Sequence, residues 1–328
     1  MKTTYTSLET GINWDQILTF AGSRPGIVLA ALLTAMAIPL SANLFCMLFS
    51  RLRERVNPGG LHPSTASLYG LIANAVILLP AGALVWSMKN LAPQEQLYDY
   101  LLLLFSLEFA TVRSCVHEVS FRLRRNDLPQ ARKAASQLLL RETSKLSSMG
   151  TAKAVAESQI LHIFQGYYVP VFWYLLLGPE AAFFTALLII MSHAFSIKLA
   201  VNGDFGSLNA LLVRLLYLPA APVMLVFLLL ATFDFRAAGR SLDHMRSHPV
   251  RLTGLLLGFV GEHLDISLGG PRFYQGQKIR YIRFGGKTEP APVHLDQIWR
   301  MLRNSVLLSA LCLIAWQVLH QTLLGGPL

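Results

Sequence analysis

The sequence predicts an all-α fold, a polytopic helical integral membrane protein with cytoplasmic helical insertions. Three observations carry that expectation. Of the 328 residues, 53% are hydrophobic and only 14% charged, against about 25% charged in an ordinary soluble domain, and the mean hydropathy is +0.47. Several uncharged runs are long enough to cross the roughly 30 Å hydrocarbon layer as helices. Lys and Arg gather in the segments flanking those runs, at 51–56, 113–153, 236–251 and 272–303, which is the pattern of chain held on the cytoplasmic side.

Taken in order, the N-terminal MKTTYTSLETGINWDQ is too polar, and has its regions in the wrong order, for a cleaved signal peptide, so the first span is expected to remain as an anchor. Gly26–Ser50 and Ser67–Met88 contain no Asp, Glu, Lys or Arg, and each reads as one span. Leu97–Val112 is shorter and carries Glu108. An ionisable group at membrane depth belongs on the bundle interior, paired or functional. Residues 113–160 read as a cytoplasmic helical insertion in which Asn126 or Asp127 caps a helix, Pro129 sits in its first turn, and Gly150 stops it before Thr151 restarts a second. Ile163–Ile197 is apolar but interrupted at Gly178-Pro179, so it reads as a bent or re-entrant hairpin. Leu215–Phe233 and Ser305–Leu324 are further spans. With the basic segments inside, the topology closes if one segment between 160 and 233 stops short of crossing. The whole chain, 1–328, is treated as a single membrane domain with cytoplasmic loops at about 234–255 and 270–303.

The formal charge of +10 is accounted for by these flanks, so membrane lipid, and no nucleic acid, is the expected partner. Cys46, Cys115 and Cys312 are odd in number and lack C-x-x-C spacing, which points to neither a disulfide framework nor a zinc site. His244 and His248 lie one helical turn apart without a third ligand, so no metal site is assigned. No pattern sets the oligomeric state.

Two polar stretches stand out. In RETSKLSSMGTAKAVAES, Arg141–Ser158, a helix, a turn and a helix are expected. Ala131, Ala135, Leu138, Glu142 and Leu146 would share one face, with Arg141 and Lys145 together one turn apart. Like charges at that spacing repel unless an anion bridges them, so a phosphate or carboxylate held by Arg141 and Lys145, near Glu142 and Glu157, is the functional reading; a solvated basic face near headgroups is the plainer one. In LGGPRFYQGQKIRYIRFGG, Leu268–Gly286, paired glycines allow close backbone approach and N–H groups aimed at an anion, but the spacing fits neither a Walker loop nor a dinucleotide fingerprint.

Taken in order, RRNDLPQARKAASQLLLRETSKLS, KAVAES, GYYVPVFWYLLLGPEAA, YLPAAPV and ISLGGPRFYQG resemble the CobD/CbiB family of integral membrane cobinamide-phosphate synthases, over roughly Glu118–Arg303. The family's R-D-T-S-x-L motif is similar to Arg141, Glu142, Thr143, Ser144 and Leu146. The first Glu of its E-[ST]-x-A-E-N-x-x-D-G motif is similar to Glu157, and its L-G-G-x-x-x-Y-x-G is similar to Leu268, Gly269, Gly270, Tyr274 and Gly276. Departures are also visible. Leu161-His162 and Gln165 replace Glu-Asn and Asp, with Gly166 kept. Phe184-Thr185-Ala186, Leu188 and Met191 replace Y-K-A, Asn and Asp. The family's Asp-Asp falls near Leu212-Val213, and the Arg after its proline is Ala221.

The resemblance implies a multi-pass protein of the bacterial cytoplasmic (inner) membrane that joins adenosylcobyric acid to aminopropanol or its phosphate in an ATP-dependent amide synthesis of cobalamin assembly. A corrinoid and a small amine would be its substrates, and ATP and Mg²⁺ its implied cofactors. On this reading Glu157 and Glu142 are catalytic, while Arg141, Lys145, Ser144, Gly269, Gly270, Tyr274 and Gly276 bind substrate. The alternative is a non-catalytic relative acting as a membrane sensor or regulator, similar to the membrane proteins of beta-lactamase induction.

Overall fold

A computed structural model describes residues 21–38, 43–57, 62–197, 203–247, 251–270, 272–274, 277–279 and 282–324. The first helix, α1 (Arg24–Ala37), is capped by Ser23, whose hydroxyl accepts from Gly26 N, with Pro25 in its first turn. It ends at Ile38, which is extended at φ −109°, ψ 122°, because the residue before a proline is pushed out of the helical region. The next helix is α2 (Asn43–Val56). Gly26–Ser50, expected as one span, is therefore divided between two helices, and Pro39 is the physical reason.

Among the described residues, five runs are long and apolar enough to cross a membrane. They are α3 (Pro63–Leu91), the pair α4 (Glu95–Ser106) and α5 (Ala110–Arg124), the continuous run Ser148–Leu177, α10 (Ser207–Thr232), and α13 (Pro292–Leu324). The protein is thus an all-α, polytopic membrane protein. Leu79 and Trp86 of α3 are 73% and 70% exposed, as lipid-facing side chains must be when no water is there to repel them.

After α5, α6 (Leu128–Ala135) begins at Asp127, whose carboxylate accepts from Gln130 N at 3.3 Å, with Pro129 in the first turn. The run Ser148–Leu177 comprises α7 (Ser148–Ile163), a π-helical turn at Phe164–Tyr168, and α8 (Val169–Leu177). Gly178, at φ 97°, then reverses the chain into α9 (Pro179–Ala194), which packs back on α8. The hairpin expected over 163–197 is present, but its first arm is a full-length helix starting at Ser148.

Ala152, Ala154 and Ala156 are fully buried on α7, and such small residues let neighbouring helices approach closely. This run sits at the centre of the protein. Gln159 donates to Leu295 O at 3.3 Å, Tyr168 to Ser305 Oγ at 3.0 Å, and Tyr167 meets Ser309 Oγ at 2.9 Å, tying it to α13.

Residues 234–255, expected as a loop, are largely helical: α11 (Phe235–Ser247) and α12 (Arg251–His263) pair as a hairpin. Its joint is Glu262, which takes His244 Nε2 at 2.8 Å and Arg240 at 3.0 Å. Burial pushes the Glu262 carboxyl upward, but the hydrogen bonds from His244 and Arg240 outweigh it and hold the group below its ordinary value. His244 is thus engaged by a carboxylate, while His248 lies outside the described residues. Beyond α12, β1 (Ser267–Gly269) pairs antiparallel with β4 (Arg283–Gly285), and β2 (Arg272–Tyr274) with β3 (Gln277–Ile279). From Pro292 onward the expected loop 270–303 is already α13.

Candidate functional site

Helix α6 stops at Ala135, and α7 starts only at Ser148, capped by Ser147, whose hydroxyl accepts from Gly150 N at 3.0 Å. Gly150 is therefore in the first turn of α7 and does not stop a helix. Arg141–Leu146 is an irregular loop, so the shared helical face expected for Arg141 and Lys145 is not formed. The loop is captured from both sides: Arg132 Nε donates to Leu146 O at 2.7 Å, and Ser158 Oγ to Leu138 O at 3.1 Å.

Arg141 turns inward. Its Nη2 lies 3.2 Å from Glu157 Oε2, with the two side chains 10% and 4% exposed. The other oxygen, Glu157 Oε1, accepts from Gly269 N at 2.8 Å. Gly269 sits at φ +78°, and a Cβ there would fall 2.3 Å from Ile282 O, so only glycine brings this backbone to the carboxylate. The loop before α7, α7 itself and β1 meet on one buried glutamate.

The remaining predicted residues are placed differently. Ser144 and Lys145 are exposed, and Glu142 is half-buried on the same loop. Gly270, at φ 88°, donates its N–H to Ile282 O at 3.3 Å. Both glycine N–H groups are thus taken by the chain's own acceptors, so the open anion-binding loop expected from the paired glycines is not formed here. Tyr274 lies in β2 opposite Gln277, and Gly276 lies outside the described residues. Lys153, which is not among the predicted site residues, comes from α7 to the neighbourhood of Gly270 and lies 3.9 Å from Glu289.

Beside this corner a cavity of about 490 Å³ opens between the 136–141 loop, α7, α9, α10 and the start of α12. Glu108 reaches it from the break between α4 and α5. There Glu108 N donates to Gly166 O at 3.0 Å, and a Cβ on Gly166 would lie 2.9 Å from Glu108. The π turn, a feature common at functional sites, carries Gln165, whose Oε1 is 3.1 Å from His193 Nε2. His162 Nδ1 is 3.7 Å from Glu108 Oε2, its Nε2 is 3.3 Å from Leu138 O, and the His162 and His193 rings stand edge to face at 5.6 Å. Glu108 had a sequence signal, its charge in an apolar run. His162 and Gln165 showed only as departures from a motif, and His193 had no signal.

Mg²⁺ requires hard oxygen ligands. Of the cavity carboxylates, Glu157 is engaged by Arg141 and Gly269, and Glu108 by His162. Leu161, Leu188 and Met191 supply no oxygen, and among the described residues no three His, Cys, Asp or Glu side chains come together as a metal site. The residues present do not fit the divalent cation that the resemblance implied.

Comparison with known proteins agrees with the motif order. The family model described as CobD/Cbib protein matches residues 16–304. A cobalamin biosynthesis protein CobD of Stutzerimonas stutzeri (strain A1501) is 27% identical over 241 residues, covering 70% of this chain and 78% of the relative. One of the same description from Chromobacterium violaceum is 27% identical over 235 residues, 70% of this chain and 73% of the relative. Another, from Leptospira interrogans serovar Lai, is 30% identical over 164 residues, 48% of this chain and 52% of the relative. No solved structure matches. With most of its length matched by the family model, this chain belongs to the CobD/CbiB family.

Proposed function

We propose that the protein works in cobalamin biosynthesis, as a multi-pass enzyme of the bacterial cytoplasmic membrane that joins adenosylcobyric acid to aminopropanol or its phosphate by ATP-dependent amide synthesis. The supporting observation is the convergence of Arg141, Glu157 and Gly269, from three motifs, on one carboxylate beside a cavity of about 490 Å³. That volume falls in the ~300–1,000 Å³ range of small-molecule sites.

In this reading Glu157 is a positioning residue, because both its oxygens are already engaged; it holds Arg141 and the Gly269-Gly270 turn at the cavity's edge. Glu142, on the same loop, takes the proton released as the amine attacks a carboxyl carbon already activated by ATP, so that the C–N bond forms as the acyl–oxygen bond breaks and phosphate or AMP leaves. Arg141, Ser144 and Lys145 present charge and hydroxyl to the anionic portions of the substrates, and the Gly269-Gly270 turn borders them. ATP belongs to this reading as a co-substrate, and no step is assigned to Mg²⁺.

A second reading is a non-catalytic relative that binds a ligand and signals, like the membrane proteins of beta-lactamase induction. Leu161, Gln165, Leu188 and Met191, where the family motifs carry acidic or amide side chains, favour it. Expression in a strain lacking its own synthase separates the two. Growth on cobyric acid supports the enzyme; no growth from a chain shown to reach the membrane and to bind corrinoid supports the sensor.

A further inference from the structure

The cavity has a wall that no motif assigns. On α10, Arg214 and Tyr217 stand one turn apart and both line it, so both side chains fall on the same helix face. The Tyr217 ring is fixed edge to face against Phe164 at 5.0 Å. Its hydroxyl is buried, with the Gln165 side chain beside it and no hydrogen bond of good geometry among the described residues. A buried phenol O–H without a well-formed hydrogen bond costs free energy that a ligand could recover.

Arg214 is the complementary case. It lies near the N-terminal end of α10, exposed and just ahead of the uncharged run Leu215–Phe233, and among the described residues no carboxylate comes within ion-pair distance of it. The cavity's own carboxylates are committed elsewhere, Glu157 to Arg141 and Glu108 to His162. Leu212 and Val213 beside it add no charge. A guanidinium that lines a cavity without an internal counter-ion keeps its donors open to an anionic ligand. Its planar fork matches phosphate oxygens two at a time, and the Tyr217 O–H adds a third donor.

We propose that Arg214 and Tyr217 bind a phosphate group directly, with no divalent cation between it and the protein. The inference rests on reading this cavity as the substrate site, and it names the group bound there. The phosphate could belong to a soluble phosphoryl compound or to a lipid headgroup, and the experiment separates these sources.

Full-length protein in phosphatidylcholine nanodiscs is titrated with ATP and with pyrophosphate in EDTA, and phosphatidylglycerol retained by the protein is measured by native mass spectrometry. Binding of either soluble probe in EDTA, weakened about tenfold to a hundredfold in Arg214→Gln and about threefold to tenfold in Tyr217→Phe, supports the site with a soluble ligand. Absent soluble binding, retention of phosphatidylglycerol that is lost in Arg214→Gln supports the site with a lipid headgroup. Arg214→Lys keeps the charge and is expected to bind at an intermediate level, which keeps the test readable should Arg214→Gln fail to fold. Binding that requires added Mg²⁺, or Arg214→Lys and Tyr217→Phe both matching the parent toward every probe, overturns the proposal. Growth and binding fail independently. A chain that does not support growth on cobyric acid yet binds ATP through Arg214 removes the synthase reading and keeps the site, whereas growth with binding indifferent to Arg214 and Tyr217 does the reverse.

Discussion

Two polar regions border the same cavity, and they differ in how their charges are satisfied. At the loop corner, Glu157 has a guanidinium on one oxygen and a backbone N–H on the other, both within hydrogen-bond distance and almost wholly buried. On α10, among the described residues, Arg214 has no carboxylate partner and the Tyr217 hydroxyl, beside Gln165, has no hydrogen bond of good geometry. A closed set of partners holds the chain together, and its loss is felt in the free protein. An open set contributes little until something binds. The corner therefore acts as a joint linking the 136–147 loop, α7 and β1, and the α10 wall as a place for a ligand.

The largest expected effect is at the joint. Glu157→Gln keeps the shape but leaves the Arg141 guanidinium buried without its counter-charge, a change that costs about 3–5 kcal/mol for a buried pair. Thermal unfolding in detergent should fall clearly, and complementation should drop by orders of magnitude. A parent-like melting temperature would mean the corner is not a joint. Gly269→Ala comes next. Its φ of +78° and the contact of a Cβ with Ile282 O force the β1 turn to move, costing about 1–3 kcal/mol, and protease protection of the 267–285 segment should fall with it.

A third satisfied carboxylate, Glu262, tests whether closed sets behave alike. Its folded pKa is depressed below the ordinary 4.5, so its contribution is present above that value and is lost as pH falls through the folded value. Acid unfolding of the parent should therefore be steeper below about pH 4.5 than that of Glu262→Gln. Identical acid limbs would remove this role. The smallest effect is expected at Lys145, which is exposed: Lys145→Gln should stay within about 0.5 kcal/mol of the parent. A large loss of stability there would restore the paired-charge reading of the loop.

Much of the helical framework was readable from the sequence, because uncharged runs the length of a bilayer have few alternatives to a helix. Ser67–Met88, Leu215–Phe233 and Ser305–Leu324 fall within helices apart from Phe233, which caps α10. The division of Gly26–Ser50 was signalled by Pro39 and outweighed by apolar character. At the loop, apolar spacing from Ala131 to Leu146 suggested a helix, but tertiary capture overrode local periodicity: Ser147 caps α7, and Glu157 holds Arg141. The contact from Glu157 to Gly269 spans 112 positions, a separation at which spacing carries no information. Motif order nominated both residues without indicating that they touch. Tyr217 and His193 look like ordinary members of apolar helices, and Arg214 like one charge in a nearly balanced segment. Their meaning lies in which neighbours they lack or share.

The distinction between joint and ligand site is tested most directly by unfolding the parent, Glu157→Gln and Arg214→Gln side by side in phosphatidylcholine nanodiscs, with and without saturating ATP in EDTA. Glu157→Gln should melt well below the parent without ligand, while Arg214→Gln should melt with the parent without ligand and show little or none of the parent's ATP-induced rise. The reverse pattern, with Arg214→Gln destabilised in the free protein and Glu157→Gln altered only in its response to ATP, would contradict it.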